Sequence, residues 1–366
     1  MNSYKLLTPG PLTTTSTVKQ EMLFDRCTWD DDYKVVTQKI RTELLQLAEV
    51  SPELYTAVLM QGSGTFGVES VLTTAISKSD KCLILTNGAY GERIVTMAKY
   101  IGINYETYSS PYDSLPEMSK VRDILDKHCD ITHIIMVHLE TTTGILNPLE
   151  EISKVSKEYG KSLIIDAMSS FGGIPINVSD LGIDYLISSA NKCIQGVPGF
   201  CFVIANIKKL SKCMGNSNSL CLDLYDQEEK MKKGGKWRFT SPTHVVAAFS
   251  KALDELVEEG GVHERFNRYT RNNLLIRKSL KEIGINSYIE DSLQSPIITT
   301  FLFPKSEFNF NSFYKYLKQR GFVIYPGKLT DVETFRIGNI GEIYEEDIKK
   351  LCDIIKGYIE GGSENE

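Results

Sequence analysis

Residues 148–168 read PLEEISKVSKEYGKSLIIDAM, and the hydrophobic pattern changes in the middle. In the first half, apolar Leu149, Ile152 and Val155 recur at helical spacing. Gly160 then supplies a helix stop. In the second half, KSLIIDAM carries its apolar residues in an unbroken run, as a strand covered on both faces does. The same alternation extends outward from residue 51 to residue 204. KCLILTN (81–87), THIIMVHLE (132–140), DYLISSA (184–190) and FCFVIAN (200–206) read as strands, and GERIVTMAKYIG (91–102) reads as a helix. Alternating strands and helices predict an α/β fold with a mostly parallel sheet. In such sheets ligands collect at the carboxyl ends of the strands.

After residue 206 the pattern is irregular to about residue 241. Two long helical patterns follow, over 241–261 and 262–284. Beyond them strand-like IITTFLF, FVIYPG and TFRIGN alternate with helix-like NSFYKYLKQRG and a last helix from residue 344. This predicts a mostly parallel large domain over 16–260 and a smaller α+β C-terminal domain over 261–360. Residues 1–15 form a leading arm, and residues 361–366 a disordered tail.

The chain has 366 residues, 42% hydrophobic and 24% charged, with a formal net charge of -6. That composition suits a soluble globular protein with a sizeable core. No basic block stands out, so no nucleic-acid partner is expected. The mixed-sign EEKMKKGGKWR (228–238) reads as a solvated loop. The first residues, MNSYKLLTPGPLTTT, lack the apolar core of a secretory signal. No apolar run approaches the ~20 residues of a membrane span. Eight cysteines are scattered without a CxxC pair, as in reduced cytoplasmic proteins. His133 and His138 lack ligand spacing, so no metal is expected.

Asp166 and Lys192 each follow a strand-like run of the same predicted sheet. A lysine can form a Schiff base with an aldehyde cofactor. A carboxylate facing a pyridine nitrogen favours its protonated form, which makes pyridoxal phosphate an electron sink. Both residues can equally be a solvated strand-end Asp and a loop Lys. QGSGTFGVES (61–70) opens a helix after an apolar run, so Ser63, Gly64 and Thr65 offer free amides and hydroxyls to a phosphate. A glycine-rich cap fits the same residues. Tyr90, in a strand–helix turn, can stack on a flat ring. Thr141, Thr142 and Thr143 end another strand. Arg336 can clamp an anionic group bidentately, or sit in a surface ion pair.

Taken together, LLTPGPL, GSGTFGVES, NGAYGER, ETTTGILNP, DAMSSFGG, SSANKCIQGVPG, FTSPTHV and FRIGNIG resemble the class V, fold-type-I pyridoxal-phosphate aminotransferases over nearly the whole chain. Within that class, RCTWDDDY (26–33) and FTSPTHV (239–245) are most similar to the branch acting on 2-aminoethylphosphonate and pyruvate. The resemblance implies a seven-stranded-type sheet, a homodimer and ping-pong transamination. It makes Lys192 the Schiff-base lysine and Asp166 the partner of the pyridine nitrogen. Ser63, Gly64, Thr65 and Asn191 fall to the phosphate, Tyr90 to ring stacking, Thr141 to the phenolic oxygen, and Met168 to an apolar contact under the ring. Thr240, with Thr243 a weaker candidate, would reach the phosphate of the neighbouring subunit. Arg336 would hold the substrate anion. Thr8 and Gly10 are candidates for the pocket mouth. Arg26 is a candidate anion contact, with a surface role the stronger reading. Alternatives are an alanine–glyoxylate or serine–pyruvate enzyme of the class, a cysteine desulfurase, and a cofactor-free binding protein. Cys352, in a helical apolar pattern, suits core packing better than desulfurase chemistry.

Overall fold

A computed structural model describes residues 4–304 and 307–361. The expected tail thus lies, apart from Gly361, outside the described residues, as do the first three residues of the arm. Seven strands form the main sheet: β1 (Tyr55–Gln61), β2 (Lys81–Thr86), β3 (Asn104–Ser109), β4 (His133–Val137), β5 (Ser162–Asp166), β6 (Tyr185–Ser189) and β7 (Phe200–Asn206). Their spatial order is β1-β7-β6-β5-β4-β2-β3. Every pairing is parallel except those of β7, which runs antiparallel to both β1 and β6. The sheet is the α/β arrangement that the sequence predicts.

The unbroken apolar run of β5 has its physical reason here. Leu163 and Ile165 face one hydrophobic cluster, and Ile164 faces another on the opposite side. β4 does the same, with Ile134 and Met136 on one face and Ile135 and Val137 on the other. A sheet buried on both faces needs apolar residues at every position. In register, Val137 lies opposite Asp166, and Asp166 opposite Ile187. The carboxylate thus sits at the shared carboxyl edge of three neighbouring strands.

β3 is absent from the sequence reading. Its residues, NYETYS, are exposed or half-buried, because the strand forms the sheet edge and pairs with a neighbour on one side only. The solvated-loop reading of 228–238 is corrected as well. A helix spans Leu224–Met231. Glu228 is buried against Arg41 at 2.7 Å, and Trp237 is buried with its indole N–H donated to Thr37. Of these charges only Glu228 is buried, in one ion pair, while Lys230, Lys232 and Lys233 remain exposed.

The later elements build a second sheet from β8 (Ile298–Leu302), β9 (Tyr325–Pro326) and β10 (Thr334–Gly338), in the order β8-β10-β9. Helices Gly261–Glu282, Phe310–Gln319 and Glu345–Glu360 pack with it around one core, and Cys352 belongs to that core. FVIYPG divides: Phe322–Val323 pairs in parallel with Lys5–Leu6, whereas Tyr325–Pro326 joins β10. The leading segment is therefore stitched to the C-terminal part. Leu7 enters its core, and its carbonyl accepts from Gly338 N at 3.0 Å. A Cβ at Gly338 would meet the Thr8 backbone at 2.6 Å, so only glycine permits this approach.

Phe335 is the centre of an aromatic group, with Phe301 at 5.6 Å, Phe313 at 5.4 Å and Phe308 at 6.0 Å between ring centroids. Phe335→Ala should destabilise this region by about 3–5 kcal/mol. Thermal and urea unfolding monitored by circular dichroism would show it, and an unchanged midpoint would contradict the packing.

Candidate active site

A cavity of ≈ 210 Å³ opens at the carboxyl edge of the main sheet. Its walls include Ser63, Gly64 and Thr65 from the turn after β1, Tyr90 from the turn after β2, and Thr141 beyond β4. Asp166 and Met168 come from the end of β5, Asn191 and Lys192 from the segment after β6. Sequence positions more than a hundred residues apart meet here because parallel strands place their ends on one edge.

Lys192 is half-buried and lines the cavity. Burial pushes its ammonium pKa down, against the opposing pull of Tyr90, Cys193 and Asp166. Its Nζ donates to the Pro9 carbonyl at 2.9 Å. Gly10 lies on the lysine stem, where a Cβ would meet Lys192 Cδ at 2.7 Å and Asn191 O at 2.7 Å. Gly10 also has a φ of +112°, which L side chains rarely adopt. Thr8 is buried, with its hydroxyl donated to Pro11 O. The arm thus closes over the lysine.

Asp166 accepts one hydrogen bond, from Met168 N to Oδ1 at 2.9 Å. Burial raises its pKa to about 6, although the Met168 amide, Lys192 and Arg93 act the other way. Among the described residues no ion pair joins Asp166 to Lys192. Desolvation without a paired counter-charge produces both shifts.

Ser63 precedes the helix Gly64–Ala75 in extended backbone, and its side chain makes no cap bond. Its carbonyl accepts from Phe66 N and Gly67 N, so the amides of Gly64 and Thr65 remain free for an anion. A Cβ on Gly64 would overlap Met168 Sδ, so glycine lets this turn approach the end of β5. Asn191 is oriented by Ser189, whose hydroxyl donates to Oδ1 at 3.2 Å.

Tyr90 begins the helix Ala89–Ile101. Its amide and that of Gly91 both donate to Glu140 Oε2 at 3.1 Å, and Thr142 Oγ1 donates to Oε1 at 2.7 Å. Glu140 is buried, and burial raises its pKa despite these bonds. Lys328 Nζ donates to Tyr90 Oη at 3.0 Å. Burial would push the phenol up, but Lys328, Thr141 and the Lys192 charge outweigh it and bring the pKa to about 8.

Arg336 is buried at the centre of β10. Its Nε donates to Pro326 O and its Nη1 to Thr141 O, both at 3.0 Å. The guanidinium therefore bridges the second sheet to the cavity rim, with Nη2 left over.

Thr8, Gly10 and Arg336 are not walls of the cavity but adjoin it, Gly10 on the Lys192 stem and Arg336 on the Thr141 carbonyl, whereas three other sequence candidates stand apart. Arg26 donates to Glu21 and to the Phe24 carbonyl, so its guanidinium is spent locally and does not line the cavity. Thr240 is exposed and Thr243 half-buried, and neither lines the cavity of its own chain. Cys193, beside the lysine, is buried with its thiol pushed up to about 12, and packs rather than reacts. Arg93, Ser189, Glu140 and Lys328 escaped the sequence reading. Arg93 lines the cavity and stands 4.9 Å from the Tyr90 ring centroid. Its position one helical turn after Tyr90 is a signal that could have found it.

Free amides at one side, a carboxylate with one unspent oxygen at another, and a desolvated amine between them match the phosphate, pyridine nitrogen and aldehyde of pyridoxal phosphate. The comparisons with known proteins agree. The family model described as "Aminotransferase class-V" matches residues 34–335. The chain is 65% identical over 359 residues to a 2-aminoethylphosphonate–pyruvate transaminase of Lysinibacillus sphaericus, covering 98% of each chain. It is 54% identical to one of Bacteroides fragilis, covering 97% of this chain and 99% of that one. The fold is similar to that of a Nostoc alanine–glyoxylate aminotransferase, with a TM-score of 0.87, 24% identity, and 97% and 95% of the two chains covered. It is also similar to a Mesorhizobium loti pyridoxamine–pyruvate aminotransferase, with a TM-score of 0.90, 21% identity, and 100% and 94% covered. This chain belongs to the class V aminotransferases.

Proposed function

We propose that this chain moves the amino group of 2-aminoethylphosphonate to pyruvate, giving phosphonoacetaldehyde and alanine, with pyridoxal phosphate as cofactor. The observation that carries the reading is identity of 65% along 98% of the chain to a relative so named. When bound, pyridoxal phosphate supplies a ring that withdraws the electrons left by C–H cleavage. Lys192 Nζ, its proton loosened by burial, serves as the nucleophile that anchors the cofactor. It then takes the proton from the carbon bearing the donor's amine. Asp166 holds a proton on the pyridine nitrogen. Ser63, the free amides of Gly64 and Thr65, and Asn191 hold the phosphate. Tyr90 and Met168 would contact the ring, and the Thr141 hydroxyl would serve the phenolic oxygen.

Arg336 receives the phosphonate of one substrate and the carboxylate of the other, which one fork can do in successive half-reactions. Thr8 and Gly10 line the mouth, with residues 1–15 as its arm. Residues 16–260 and 261–360 act as large and small domains. Thr240, and less directly Thr243, complete the phosphate site of a second copy in a homodimer, a role that suits the exposure of Thr240. Arg26 has a surface role. Among the described residues no helix is long and apolar enough to cross a membrane, which accords with work in the cytoplasm.

With pyruvate fixed, 2-aminoethylphosphonate should be the preferred amino donor over serine and alanine. Initial rates of phosphonoacetaldehyde formation check this, and a preference for alanine or serine with glyoxylate would replace the reading by that of a sibling enzyme. Lys192→Ala should keep the wild-type circular dichroism while transamination falls by about 10²–10⁴-fold or more. Turnover near the wild-type rate would sink the role given to this lysine. Asp166 gives a pH test on cofactor-free protein. Its pKa is raised from 3.8 to about 6, so the folded state holds the extra proton in that window. Stability contributed by this group therefore falls as pH rises from 3.8 to about 6, and the cost persists above it. Asp166→Asn should accordingly gain thermal stability over wild type through this window. A midpoint difference that is flat with pH would contradict the assignment.

A further inference from the structure

Lys328 lies on the connection between β9 and β10, two residues beyond Pro326, whose carbonyl holds Arg336 Nε. Tyr325 stands opposite Arg336 in register, and Gly327 N donates to Thr334 O at 2.9 Å, so one hairpin fixes both cations. Lys328 is exposed and is not itself a cavity wall, but its amine reaches Tyr90, which is one. Its Nζ is 3.0 Å from Tyr90 Oη and 4.3 Å from the centroid of that ring. Arg336, holding the Thr141 carbonyl, lies close enough to Tyr90 for that side chain to act on its pKa. Lys328 is also close enough to Lys192 to lower that amine's pKa, and it helps to bring the Tyr90 phenol down to about 8.

The geometry points to Lys328 as a specificity-determining residue that, with Arg336 near the same tyrosine, forms a two-cation receiver for a doubly charged tetrahedral head group. A carboxylate carries one negative charge, which the single guanidinium charge of Arg336 balances through the N–H groups not given to Pro326 and Thr141. A phosphonate above its second ionisation carries two, and its third oxygen is left for a second cation. The receiver thus separates the two substrates of one cavity by charge. This inference rests on the donor identity proposed above.

The test compares ethylphosphonate with ethanesulfonate as competitive inhibitors of the holoenzyme, at a pH above the phosphonate's second ionisation. The two have the same tetrahedral head and differ by one charge. Wild type should bind the phosphonate more tightly. Lys328→Met should reduce the ratio of the two inhibition constants by about tenfold, the size of one hydrogen bond to a charged group. Lys328→Arg should restore it. An unchanged ratio in Lys328→Met, or equal weakening of both inhibitors, would overturn the proposal. Tyr90→Phe should keep most of the ratio. If it reproduces the Lys328→Met loss, Lys328 acts only by holding the hydroxyl, and the receiver is refuted. If wild type fails to turn over 2-aminoethylphosphonate while the inhibitor ratio behaves as stated, the donor reading fails and the receiver stands.

Discussion

Two opposite charges, on Lys192 and Asp166, share one cavity without a direct ion pair between them, and the molecule is organised around tolerating that. Removing an ion from water costs several kcal/mol when no partner repays it. Both groups respond as desolvation dictates, the lysine pushed down and the aspartate up to about 6. A marginal scaffold would relax and let the groups find each other or water. Here the strand ends that carry them are locked by a sheet with apolar clusters on both faces. The unfavourable arrangement is what leaves each group free for a ring that needs a carboxylate at its nitrogen and an amine at its aldehyde.

The positions of these groups were largely legible from the chain. Unbroken apolar runs announce strands buried on two faces, and strand-end residues of parallel sheets share an edge. That logic reached Ser63, Thr141, Asp166 and Lys192, and a helix start after an apolar run reached the free amides of Gly64 and Thr65. It failed wherever burial and polarity part company. The edge strand Asn104–Ser109 carries polar residues because one of its sides is open. Glu228 looked solvated because its partner, Arg41, is far away in sequence. Glu140 is the clearest case. Nothing in ETTTG says that its carboxylate caps the helix bearing Tyr90, because the capped amides belong to a different strand–helix unit.

The second sheet was legible as an α+β pattern, but its contribution to the site was only partly so. Arg336 stood out as a lone arginine in an apolar strand. Lys328 had no such context, and its placement against Tyr90 follows from a hairpin that Pro326 and Thr334 define. Long-range docking of one element on another leaves no local period to read.

The pairing of Lys5–Leu6 with Phe322–Val323 has a bearing on how the molecule is made. Ribosomal synthesis releases the first residues long before the last strands exist. Until Phe322 and Gly338 emerge, the segment bearing Pro9 lacks its strand pairing and is held only by contacts such as Thr15 with Glu255 and Gly10 with Lys192. The main sheet can consolidate from neighbouring strand–helix units early, since those contacts are local. The walls of the cavity all come from residues 63–192, so they can form before the last strands, whereas the pairing that holds the arm across Lys192 is completed only when the C-terminal strands are made.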